Sequence, residues 1–401
     1  MIERETYMQK IRPFINTPLI KVITGIRRCG KSVMMELIQK ELLSKGTDRE
    51  QIISLNFESK TDKRTGSIET VLESINERVS KIGGKRLYIF LDEIQELKNW
   101  EKLLNSFLID IDIDIYITGS NAKLLSSELA TYIAGRYVEI RLYPLSFKEV
   151  MHLLHENKTD ISNNDAFLMY LKRGGFPFLY NYPFSDKDAY QYLSDIFDSI
   201  VLKDISQRNN IRDISQLRNL ILYFASNIGN TFSASSLVKY LKNQKRSVST
   251  ETIYNYIEYC RSACLLHLVK RQDITGKALL STQEKIYFSD HGIREALYGS
   301  NQRDINQVLE NIVFMELLRR GFEVTVGKVK NAEVDFCAEK NKEKIYIQVT
   351  YLLASEETII REFGAFSGIQ DNYPKYVLSM DEVDLSRNGI IHKNIRSFLL
   401  E

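Results

Sequence analysis

Gly25-Ile26-Arg27-Arg28-Cys29-Gly30-Lys31-Ser32 fits G-x-x-x-x-G-K-[ST], the P-loop pattern. Before it runs Leu19-Ile20-Lys21-Val22-Ile23-Thr24, whose β-branched content predicts a buried strand. After it, Val33, Met34, Leu37, Ile38, Leu42 and Leu43 recur at helical spacing. Strand, glycine turn and helix N-terminus together make a phosphate site, because the glycines let the backbone curl until its N–H groups face the phosphate oxygens. The expected contacts are Gly25, Ile26, Arg27, Arg28, Cys29, Gly30, Lys31, Ser32 and Val33. Within this set Lys31 would reach the β/γ-phosphates and the Ser32 hydroxyl would bind Mg²⁺.

Further on, Arg86-Leu87-Tyr88-Ile89-Phe90-Leu91-Asp92-Glu93 is an apolar strand ending in two carboxylates, the Walker B form. Asp92 would hold Mg²⁺ through water, and Glu93 would polarise the attacking water. Ile111–Thr118 reads as another core strand, closed by Gly119-Ser120-Asn121. A polar residue there can hold the lytic water between carboxylate and γ-phosphate; Asn121 is favoured, with Ser120 the alternative. Strands at Gln51–Phe57 and Tyr137–Ile140 alternate with helices at Ile68–Ile82, Trp100–Leu108 and Leu124–Ile133. That alternation predicts an α/β fold, a parallel sheet covered on both faces.

The 401 residues allow two to four domains. A composition of 44% hydrophobic and 26% charged residues argues against disorder. No apolar run approaches the roughly 20 residues that span a bilayer, so no membrane partner is expected. Met1-Ile2-Glu3-Arg4-Glu5 lacks the apolar core of a signal peptide. Cys29, Cys260, Cys264 and Cys337 form no C-x-x-C pair and read as reduced thiols, so a cytoplasmic protein is expected. Net charge is only +2, yet Lys203 to Arg271 carries 11 Lys/Arg against 4 Asp/Glu, which is +7 and leaves about −5 elsewhere. A basic middle segment in an otherwise acidic chain points to a polyanion partner.

Gly25–Ser32, Leu91-Asp92-Glu93-Ile94-Gln95, Thr118-Gly119-Ser120-Asn121, Gly135-Arg136-Tyr137 and Tyr143-Pro144-Leu145-Ser146-Phe147 come in this order. In this the chain resembles a bacterial and archaeal family of AAA+ ATPases. The resemblance covers nearly the whole length and implies ATP and Mg²⁺ as cofactors and a homo-oligomeric ring, hexamer or heptamer. It places Arg136 where AAA+ proteins carry the finger that reaches a neighbour's γ-phosphate. It makes mostly helical Ser146–Asp204, broken by Arg173-Gly174-Gly175-Phe176-Pro177, the lid, with Arg173 the nearest candidate for a second sensing arginine.

Beyond the lid, helices at Asp213–Ala225, Ser233–Leu241 and Ser247 or Ser249 to about Arg261 precede strands at Cys264–Lys270 and Lys285–Ser289. Three helices and a two-stranded ribbon resemble a winged helix. Thr250, Thr252, Tyr254 and Asn255 would then face bases or phosphates, with Lys242, Lys245, Arg246 and Lys270 on the DNA backbone. In the last hundred residues Glu310, Asp335 and Ile347-Gln348-Val349-Thr350 resemble the restriction-nuclease-like PD-(D/E)xK pattern. The third element has Gln348 in place of an acid and no lysine, which predicts a degenerate nuclease. The expected domains are a P-loop core at 1–145, a lid at 146–205, a winged helix at 206–298 and a nuclease-like α/β domain at 299–401. The expected work is ATP hydrolysis with binding of DNA, branched or non-duplex forms included. Two alternatives stand beside it: an ATP-regulated nuclease, and a nucleotide switch that docks a protein partner.

Overall fold

The structure, a computed structural model, describes the whole chain except residues 1, 60, 111, 122–134, 244–247, 277, 300–303 and 330–331. The helix expected at 124–133 and the residues Lys245 and Arg246 lie outside the described residues. Two compact units emerge: Met1–Tyr143 with Ser262–Cys264, and Pro144–Arg261 with Leu265–Glu401.

The first unit opens with α1 (Glu5–Ile11), then β1 (Ile20–Thr24), α2 (Lys31–Ser44), β2 (Ile52–Asn56) and α3 (Ile68–Lys81). It continues through β3 (Leu87–Asp92), α4 (Trp100–Asp110), β4 (Ile113–Gly119) and β5 (Tyr137–Arg141). All five strands are parallel, in the order β2-β3-β4-β1-β5. β1 and β3 are buried at every position, which is why they read as mostly apolar runs and do not alternate. Val71 and Ile75 of α3 and Leu103, Leu104 and Phe107 of α4 pack with Ile89, Leu91, Ile115 and Ile117. Ser67 caps α3, accepting from the Thr70 amide at 3.4 Å. Lys21 breaks the apolar run of β1, and its ammonium pairs with buried Asp114 of β4.

The second unit begins with α5 (Phe147–Glu156), α6 (Asn163–Arg173) and α7 (Asp186–Ser199), capped by Ser146, Ser162 and Ser185. An eight-residue π-helical stretch, Ile200–Gln207, extends α7. Then come α8 (Ile214–Ser226), β6 (Thr231–Phe232), α9 (Ala234–Asn243), α10 (Thr250–Ser262), β7 (Leu266–Asp273) and β8 (Ala278–Phe288). The chain ends with α11 (His291–Tyr298), α12 (Ile305–Arg319), β9 (Glu323–Val329), β10 (Ala332–Lys340), β11 (Glu343–Val349), α13 (Glu356–Gly364), β12 (Lys375–Ser379), β13 (Ile391–Asn394) and α14 (Ile395–Leu400).

One eight-stranded sheet, β13-β12-β11-β10-β9-β7-β8-β6, crosses the boundary expected at 298–299. The joint is a parallel pairing of β7 with β9, Arg271 opposite Val326 and Asp273 opposite Lys328. The hairpin is therefore part of the C-terminal sheet, where a separate module was expected. Gly174-Gly175 has a structural reason as well. Asp290 caps α11 with Oδ1, 2.9 Å from the Gly292 amide, and takes the Gly175 amide on Oδ2 at 2.7 Å. Gly174 has φ +71°, and a Cβ there would stand 2.0 Å from Asp290 Oδ1, so only glycine fits.

Candidate functional site

At the carboxyl ends of the parallel strands of the first unit, four loops meet, the usual place for a ligand in such sheets. After β1 the chain turns at Gly25, where a Cβ would stand 2.3 Å from the Leu142 carbonyl oxygen. Gly30, with φ +106°, sits at the N-cap of α2, so the helix opens on Lys31 with its first amides free of capping side chains. Buried Arg4 fixes the loop from outside, donating to the Cys29 carbonyl at 3.2 Å and to that of Tyr143 at 2.9 Å. Burial pushes the Cys29 thiol up, so it is inert packing within the loop.

Lys31 is 4% exposed. Its ammonium donates to the carbonyls of Gly25 (3.3 Å) and Ile26 (3.5 Å) and lies 3.3 Å from Glu93 Oε1. Burial acts to lower Lys31, but the Glu93 carboxylate holds it above the ordinary lysine range. Burial likewise acts to raise Glu93, and the Lys31 ammonium holds it below the ordinary range. Glu93 itself has φ +52°, and the Gln95 side chain donates to its second oxygen.

Ser32 Oγ donates to Asp92 Oδ2 at 2.7 Å. The other oxygen of Asp92 accepts from Thr118 Oγ1 at 2.5 Å, and Asn56 Nδ2 reaches Oδ2 at 3.2 Å. Burial pushes the Asp92 carboxyl up, opposed by the bonds from Thr118 and Ser32. A serine hydroxyl and a carboxylate oxygen side by side are hard oxygen donors that fit Mg²⁺.

Thr118 and Asn56 were not foreseen. Thr118 Oγ1 also accepts the Glu93 amide at 2.9 Å, so one hydroxyl orients both Walker B residues. The available signal was position: both are polar residues at the carboxyl ends of strands that flank the Walker B strand. Asn121, 9% exposed, follows β4 by two residues, and Ser120 is fully buried. Since β4 lies between β1 and β3, both are set between the P-loop and the Walker B strand. Arg136 is exposed, and its carbonyl takes the Ile20 amide at 2.9 Å, at the amino ends of β1 and β5. It is thus at the opposite end of the sheet from its own P-loop. Arg27 pairs with Glu58 at 3.0 Å, Arg28 has φ +68°, and Val33 is 37% exposed.

In the second unit, Arg173 is held by Asp186 Oδ1 at 2.9 Å and by the Phe184 carbonyl. Lys242, Thr250, Tyr254, Asn255 and Lys270 are exposed. Thr252 also serves the helix: its amide donates to Ser249 Oγ at 3.0 Å, closing the cap of α10. Tyr254 OH donates to Glu284 at 3.3 Å, and the same exposed stripe of α10 carries Glu251 and Glu258. Glu310, Asp335 and Gln348 do come together, around a residue not foreseen, Lys285 of β8.

The strand order and the loop define an α/β fold of the P-loop AAA class, and residues 17–151 match the AAA domain family. Residues 164–304 match a domain of unknown function. An uncharacterised protein of Haemophilus influenzae is 38% identical over 379 residues, 94% of this chain and 93% of that one. One from Methanocaldococcus jannaschii is 33% identical over 382 residues, covering 91% and 81%. The chain belongs to the family of these two proteins. A Walker-type ATPase of Pyrococcus abyssi has a similar fold, with TM-score 0.50 at 14% identity over 74% of this chain and 96% of that one.

Proposed function

We propose that the protein hydrolyses ATP with Mg²⁺ and couples this to binding DNA as an oligomer. The convergence of Lys31, Ser32, Asp92 and Glu93 at the carboxyl end of the sheet carries the first part. Lys31 and the opening amides of α2 hold the β/γ-phosphates; Ser32 and Asp92 would hold Mg²⁺, which when bound would supply neutralising charge at the phosphate oxygens. Glu93, once it leaves Lys31, orients the attacking water, and Asn121 steadies it. Arg136 lies at the end of the sheet opposite its own P-loop, which suits a residue that completes the site of a neighbouring copy.

Two variants test both points. Lys31→Ala is expected to lose nucleotide binding, and Arg136→Ala to bind but turn over about 10³–10⁵ times more slowly. Mixed together, they should recover activity at sites pairing an intact P-loop with an intact Arg136. Nucleotide binding by Lys31→Ala would sink the site; a monomer with full turnover in ATP would sink the shared site.

Support for DNA comes from the +7 segment and from the order α8, β6, α9, α10, β7, β8, which is that of a winged helix. Glu251 and Glu258 repel phosphate on the outer stripe of α10, so the DNA contact falls to the exposed Lys242 and Lys270. A nucleotide switch docking a protein is the second reading, favoured if ATP-dependent capture of a protein occurs with no effect on DNA mobility.

A further inference from the structure

In the second unit one ammonium stands among three carboxylates. The Lys285 side chain is 4% exposed; its Nζ lies 2.9 Å from Glu310 Oε1 on α12, 2.9 Å from Glu333 Oε1 and 3.6 Å from Asp335 Oδ1, both on β10. Tyr287, two residues along the same face of β8, donates its hydroxyl to the same oxygen of Glu310. Two of the remaining oxygens are also engaged. Asp335 Oδ2 accepts the Val349 amide at 2.9 Å, and Arg271 stands 3.4 Å from Glu333 Oε2. On the far side, a Cβ on Gly229 would be 3.2 Å from Glu310 Oε2, so the backbone closes over that oxygen. Gln348 spends its amide on the Asp335 N–H (3.2 Å) and on Glu362 (2.9 Å).

A divalent ion needs several oxygens converging at about 2.0–2.6 Å, with their lone pairs unspent. Among the described residues, no group of three His, Cys, Asp or Glu side chains is placed to hold one. The metal that a nuclease-like reading of Glu310 and Asp335 would require does not fit these residues. We infer that the Lys285 ammonium is itself the resident cation of this cluster, standing where Glu310, Glu333 and Asp335 would otherwise converge on a divalent metal. The native chain therefore excludes the metal, and removing the ammonium admits it. A second cation beside a buried ammonium meets direct repulsion with little water to screen it. Unlike a metal, this cation is tethered to β8, so it ties that strand to α12 and β10 permanently.

The test is a titration of full-length, nucleotide-free protein with Mn²⁺, reading free ion by electron paramagnetic resonance. Lys285→Ala should bind one more Mn²⁺ per chain than wild type, and Lys285→Ala/Glu310→Gln should lose it again. Lys285→Arg, which keeps a cation, should match wild type. Any Mn²⁺ held by Ser32 and Asp92 is common to all variants and cancels. Wild type and Glu310→Gln should bind equally. This pair decides even if Lys285→Ala does not fold, because the amide oxygen that Glu310→Gln introduces can still accept from Lys285 and Tyr287. Wild-type stoichiometry in folded Lys285→Ala would overturn the inference. So would a loss of Mn²⁺ on Glu310→Gln alone, since metal and lysine would then share the site.

Discussion

Glu93 and Lys31 neutralise each other, 3.3 Å apart and both buried. On the proposed function, a γ-phosphate reaching Lys31 would displace that carboxylate, so triphosphate binding would also release Glu93. Glu93→Gln removes the competitor along with the general base. Turnover should fall about 10²–10⁴-fold, the usual loss for a positioned proton-transfer group. ATP affinity should rise, and more than ADP affinity, because only the triphosphate competes for the same ammonium. Equilibrium binding of both nucleotides beside steady-state hydrolysis checks this. Wild-type turnover in this variant would remove Glu93 from the mechanism; weaker ATP binding would remove the competition.

Among the elements, the start of α11 couples two buried titrations of opposite sign. Burial pushes Asp290 from its ordinary 3.8 up to about 7, and it lowers His291, whose ring lies 2.7 Å from the Tyr170 carbonyl, from 6.5 to about 4. The fold favours protonated Asp290, so its contribution is present in acid and lost as pH rises from about 4 to 7. It also favours neutral His291, whose contribution is present above about 6.5 and lost as pH falls toward 4. Between those limits the slopes oppose and largely cancel. Asp290→Asn should be less stable at every pH, having an amide against the Gly175 N–H. It should also lose about a further 1.4 kcal/mol per unit of acidification from pH 6.5 to 5, the His291 slope unmasked. Urea unfolding at several pH values measures it, and parallel curves for variant and wild type would refute the pairing. Neither residue was singled out in the sequence, because their meaning depends on Gly175 and Tyr170, more than a hundred positions away. Lys31, Ser32, Asp92 and Glu93 were legible because each sits in a short motif whose geometry is set by its own strand and turn. Thr118 and Lys285 were not, since a hydroxyl or ammonium gains its role from whichever strand pairs beside it. The short runs of β12 and β13 were missed for a similar reason: four or five residues in a loop-rich tail show no decisive period.

For the whole molecule, ATPase and DNA contact are assigned to residues far apart in sequence, so they should be separable. If the proposed DNA face is right, replacing Lys242, Lys245 and Arg246 together by Ala removes phosphate contacts. Each neutralised phosphate contributes roughly −0.9 to the slope of log affinity on log salt, so the slope should flatten by about two to three. Basal ATPase should barely change. Gel shifts on single-stranded, duplex, forked and four-way DNA across a salt series give the answer. A triple variant that shifts DNA as wild type does at every salt would discard the basic face.

The parallel joint of β7 to β9 also bears on how this protein is made. Asp273 leaves the ribosome about fifty residues ahead of Glu323, an interval of some seconds at usual rates of about 5–20 residues per second. Through that interval the nascent hairpin presents an unpaired edge, the surface on which strands of other chains can add. Lys270 and Arg271 lie near that edge and carry like charge, which discourages such addition until β9 arrives. In the finished chain Arg271 bonds Gln283 of β8 and pairs with Glu333 of β10 at 3.4 Å, so a guard of the growing chain is also an internal strut of the folded one.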